Sequence, residues 1–144
     1  MGTTHTAART SKISPVCIHH IAINVKDLQR SIDFYKELLG FRLLDRDEHS
    51  AKLSIGNSDI VLFQLPSDIN ITPTARDTQS TSLNHIAFEI HPSLFERYHQ
   101  LLLDNDVQIT FGPVKRRHGY ALYFLDPDGN KIEFFFNNTF SNRH

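Results

Sequence analysis

The stretch CIHHIAINVKD runs from Cys17 to Asp27, and SLNHIAFEIHP runs from Ser82 to Pro92. Both contain His-Ile-Ala at the head of an alternating pattern, and the two histidines, His20 and His85, stand 65 residues apart (85 − 20) in a chain of 144. In the first copy Ile21, Ile23 and Val25 share one strand face, with His20, Ala22 and Asn24 on the other. In the second, Ile86, Phe88 and Ile90 oppose His85, Ala87 and Glu89. A branched or aromatic face belongs against a core, so both histidines point away from it, each beside a small alanine.

The segments downstream of each copy also repeat. After the first strand, Cys17 to Val25, Asp27 is placed as an N-cap. Leu28, Ile32, Tyr35, Leu38 and Leu39 then recur at helical spacing, and Gly40 closes the helix. Short strands are expected at 41–45, 51–55 and 59–65, the last two joined by a Gly56-Asn57 turn. After the second copy, Pro92-Ser93 opens a helix carrying Leu94, Tyr98, Leu101 and Leu102. Strands are expected next at 107–111, 120–125 and 131–136, with DPDG at Asp126 to Gly129 as a turn. The order strand, helix, three strands therefore occurs twice: an α+β chain of two tandem βαβββ modules, 16–66 and 82–137. A polar linker, 67–81, joins them in one domain, 15–137, between tails at 1–14 and 138–144, the first read as disordered.

Composition narrows the class of function. With 40% hydrophobic and 22% charged residues the chain is an ordinary soluble globule, and its net charge of −1 gives no electrostatic case for nucleic acid or an anionic membrane. The single cysteine, Cys17, excludes an internal disulfide and fits a reducing, cytoplasmic compartment. No apolar run reaches the length of about 18 residues that a spanning helix needs.

A third residue joins the two histidines. In NKIEFFF, Glu133 interrupts an apolar strand on the face opposite Ile132, Phe134 and Phe136. A carboxylate there is costly to bury unless it is paired or bound to a cation. Two imidazoles and one carboxylate on adjacent strands, with coordination positions left open, suit a catalytic divalent metal.

The arrangement resembles the vicinal oxygen chelate superfamily, which includes glyoxalase I, extradiol dioxygenases, fosfomycin-resistance enzymes and bleomycin-resistance proteins. The likeness spans Val16 to Asn137 and rests on HHIAINVKDLQRSIDFYKELLGF, NHIAFEI and LYFLDPDGNKIEF. By that resemblance His20, His85 and Glu133 are metal ligands and paired βαβββ modules form curved mixed sheets around a metal-binding cavity. It also implies a homodimer with shared sites and a small-molecule substrate that chelates through vicinal oxygens. Glyoxalase I has a further Glu where this chain has Val61, with Gln64 nearby as a substitute only if the register slips; fosfomycin enzymes have a Thr where this chain has Ala22. HGYALYFLDPDGNKIE is similar to the extradiol signature, which gives His118 and Tyr123 catalytic roles. The favoured expectation is an Fe(II) ring-cleaving dioxygenase. A lyase or isomerase using Zn(II), Ni(II) or Mn(II), a thiol transferase, or a non-catalytic drug-sequestering protein are the alternatives.

Overall fold

The computed structural model describes residues 13–69 and 83–138. The N-terminal tail through residue 12, residues 70–82 (most of the linker and the first residue of the second module), and the C-terminal tail from residue 139 lie outside them. Each module has the expected order. In the first, β1 (His20–Val25), α1 (Leu28–Ile32), β2 (Arg42–Arg46), β3 (Ser50–Ser54) and β4 (Asp59–Gln64) form a sheet of order β1-β4-β3-β2. In the second, β5 (Ile86–Glu89), α2 (Phe95–Asp104), β6 (Ile109–Arg116), β7 (Gly119–Leu125) and β8 (Lys131–Asn137) form a sheet of order β5-β8-β7-β6. The first strand of each pairs in parallel with the last, and the other pairings are antiparallel.

Local chemistry accounts for the helix ends. The Asp27 carboxylate accepts from the Arg30 amide at 3.1 Å, as its cap position predicts. Gly40 adopts φ +82°, a conformation that favours glycine. Between them α1 gives way to a π-helical turn over Asp33–Leu38, where an uninterrupted α-helix was expected. The Leu39 amide reaches back five residues to the Phe34 carbonyl at 3.0 Å. Tyr35 and Leu39 on this turn enter the core, and Phe34 and Leu38 pack against it. On the second module, His91 caps a 3-10 turn, Pro92–Leu94, that leads into α2.

One core serves both modules. Ile23, Val25, Leu53, Ile60 and Leu62 of the first sheet join Ile86, Leu122, Phe124, Ile132 and Phe134 of the second in a single cluster, with Leu28, Ile32, Tyr35 and Leu102 from the helices. Polar bonds lock the modules together at the DPDG turn. The buried Tyr35 hydroxyl donates to Asp126 at 2.7 Å, and the Lys26 amide donates to Asp128 at 3.0 Å. Asp126 also accepts from the amides of Asp128 and Asn130 and from the Asn130 side chain. Because the core faces of both sheets are spent on each other, the His20 face and the His85 face both turn outward.

Candidate metal centre

On the second sheet the pairing register assembles the site. Ala87 of β5 and Tyr123 of β7 flank Glu133 of β8 as its Cα partners on either side. His85 stands one residue before β5, on the same face as Ala87, and its Nε2 lies 2.9 Å from Glu133 Oε2. The Tyr123 ring meets the His85 ring edge-on, with centroids 5.6 Å apart.

The imidazole is held from behind. His85 Nδ1 lies 2.7 Å from the Asn84 amide oxygen, which accepts from it in the Nδ1–H tautomer. Nε2 then presents a lone pair to a carboxylate oxygen. At 2.9 Å the pair is bridged by a proton or can be bridged by a metal cation. A ligand histidine whose second nitrogen is fixed by an amide or carboxylate is the usual arrangement around a bound metal. The residues therefore fit the divalent ion that the donor set suggests.

The first sheet carries the other histidine. His20 pairs with Asp59 across β1 and β4, and its Nδ1 lies 2.9 Å from that of His19. The Lys52 ammonium pairs with Asp59 at 3.5 Å. Hydrogen bonding from Ser54, followed by that of Lys52 and the nearby positive charges, holds the Asp59 carboxyl below its ordinary range. Among the described residues, no three His, Cys, Asp or Glu side chains of one chain converge as a metal-holding group. The structure thus joins His85, Glu133 and Tyr123 and keeps His20 apart.

The other residues singled out in the sequence fall on or around the two sheets. Ala22 pairs with Val61 as Ala87 pairs with Glu133, so the register has not slipped and Val61 is the counterpart of Glu133. Gln64 aligns with the buried Val25, and its side-chain oxygen accepts from the Leu28 amide at 2.8 Å. It serves the start of α1 and is turned from the ligand face. His118 sits in the β6–β7 turn, exposed, with its carbonyl accepting from the Asn138 amide. It lies five residues along β7 from Tyr123 (123 − 118), roughly 17 Å at the usual strand rise. Arg116 folds back along the hairpin. Its Nη2 donates to the Tyr123 hydroxyl at 3.0 Å, and its guanidinium lies 5.8 Å from the Tyr123 ring centroid and 6.0 Å from that of Phe111. No periodicity signals that contact, because it depends on the bulged course of β6.

The fold and site define a protein of the two-module glyoxalase type. The chain belongs to the Glyoxalase/Bleomycin resistance protein/Dioxygenase superfamily, whose family model matches residues 17–134. It is 40% identical over 117 residues to the metallothiol transferase FosB of Staphylococcus epidermidis, covering 81% of this chain and 78% of that one. It is 32% identical over 116 residues to the glutathione transferase FosA of Serratia marcescens, covering 81% and 77%. A crystal structure of a glyoxalase/dioxygenase from Nostoc punctiforme superposes with a TM-score of 0.77 at 32% identity, covering 90% of this chain and 99% of that one. Vicinal oxygen chelate membership and the α+β fold of tandem βαβββ modules stand as expected from the sequence.

Proposed function

We propose that this protein is a metal-dependent thiol transferase acting on a small electrophile with adjacent oxygens, with His20, His85 and Glu133 as ligands. The observation that supports the metal is the His85–Glu133 contact at 2.9 Å, which sets an imidazole nitrogen and a carboxylate oxygen close enough for one cation to be held by both. The observation that favours thiol transfer over ring cleavage is similarity to relatives named metallothiol transferase and glutathione transferase. His20 comes from the partner of a homodimer, because both ligand-bearing faces turn away from the shared core of one chain.

A divalent ion held by this set supplies a Lewis acid with open positions for neighbouring oxygens. The chain's own groups do the rest. Asn84 orients His85. Tyr123, beside Glu133, donates a hydrogen bond to an oxygen of the bound molecule. Phe135 and Ala87 share the strand face of Glu133 and give the bound molecule an apolar neighbour. In the transfer, the thiol sulfur bonds to carbon, a carbon–oxygen bond breaks, and the thiol proton ends on the released oxygen.

The test is loss of free thiol when Mn(II)-loaded protein is incubated with glutathione and a panel of small oxygenated electrophiles, in air and under argon. Equal thiol loss in both is expected. Turnover that requires and consumes oxygen overturns thiol transfer in favour of the ring-cleaving reading.

A further inference from the structure

The contact between Arg116 and Tyr123 says how the phenol is used. A guanidinium carries donors and no acceptor, so at 3.0 Å the Tyr123 oxygen accepts from Arg116 and cannot donate back. The phenol has one proton, and with one lone pair engaged by Arg116 that proton turns away from the guanidinium. The ring lies edge-on to His85 and its backbone pairs with Glu133, so the side away from Arg116 includes the ligand-bearing face.

Arg116 is built to hold this arrangement. It stacks near both the Phe111 and Tyr123 rings, and among the described residues it forms no ion pair with a carboxylate. Stacking fixes the plane of the guanidinium, and the hydrogen bond fixes the rotation of the hydroxyl. A lysine gives a charge there without the plane.

We infer that Arg116 is a positioning residue that makes Tyr123 a committed hydrogen-bond donor to an oxygen of the small molecule bound at the site. The inference rests on the proposed location of that site. Arg116 acts through Tyr123 and not by attracting charge, so it matters for an uncharged ligand as much as for an anion.

Catechol, a neutral vicinal diol at pH 7, is the probe, titrated calorimetrically into Mn(II)-loaded protein. Arg116→Gln and Tyr123→Phe are each expected to weaken binding about five- to tenfold, the size of one hydrogen bond. The double variant is expected to be no weaker than Tyr123→Phe alone, with Arg116→Lys between wild type and Arg116→Gln and metal content unchanged throughout. Multiplying losses in the double variant, or no loss in Arg116→Gln, overturn the inference. A second measurement needs no metal. In protein with 13C-labelled tyrosine rings, the resonance that disappears in Tyr123→Phe is expected to move in Arg116→Gln, and an unmoved resonance overturns the pairing. Wild-type protein that binds no metal removes the proposed function instead, and the metal-free spectrum then decides the Arg116 assignment alone.

Discussion

At the scale of single residues, the proposed centre divides into groups that bind and groups that aim. His85 and Glu133 face one another at 2.9 Å, and Asn84 determines which imidazole nitrogen does the facing. Replacing His20, His85 or Glu133 with Ala is expected to abolish stoichiometric metal while leaving the fold, since none belongs to the core. Metal analysis after gel filtration checks this, and full occupancy in two of the three variants refutes the ligand set. Asn84→Ala keeps every ligand but frees the ring, so metal affinity is expected to fall about 10- to 100-fold, as for other lost outer partners. Unaltered affinity means that the Asn84 contact does not orient His85.

Secondary elements show a duplicated scaffold carrying unduplicated chemistry. Ala22, Val61 and Lys52 lie in one row of the first sheet, where the second has Ala87, Glu133 and Tyr123. The π-helical turn after α1 has a purpose beyond packing, for it brings Tyr35 to Asp126 at the turn that leads into β8. Tyr35→Phe leaves the Asp126 carboxylate short of one donor and is expected to cost about 1–3 kcal/mol in urea unfolding. Burial, then the Asp126 charge and hydrogen bond, push the Tyr35 phenol well above its ordinary value. Above about pH 10 the unfolded chain loses this proton first, so the folded state holds more protons and stability falls with rising pH. Tyr35→Phe is expected to flatten that alkaline decline, and identical slopes in the two proteins would show that the phenol is not linked to folding.

For the whole molecule, the decisive feature is that the strand faces carrying His20 and His85 lie outside the core that joins the two sheets. On the proposed homodimer reading, His20 of one copy completes the site that His85 and Glu133 begin in the other. Mixing His20→Ala chains with Glu133→Ala chains, each expected to be metal-free alone, tests this directly. In a heterodimer one site collects both substitutions and the other collects none. With random reassortment half the dimers are mixed, so about one quarter of the wild-type metal content should return on statistical grounds. A mixture as empty as its parents shows that each site is built within one chain.

Much of this protein was legible in the chain itself. Strand periodicity, the Asp27 cap, the Gly40 stop and the repeated His-Ile-Ala determined two like modules and put His20, His85 and Glu133 on their solvent faces, because such signals act over a few residues. Even the vacancy at Val61 came from aligning one strand with another, and the register bears that alignment out. The contacts that stayed open were those between segments far apart or bent from regularity. Only the tertiary structure gave Gln64 to the start of α1, returned Arg116 to Tyr123, left His118 at a hairpin tip and kept the His20 and His85 faces out of the shared core. Each depends on how whole elements pack, and side-chain spacing carries no record of the face that another module will cover.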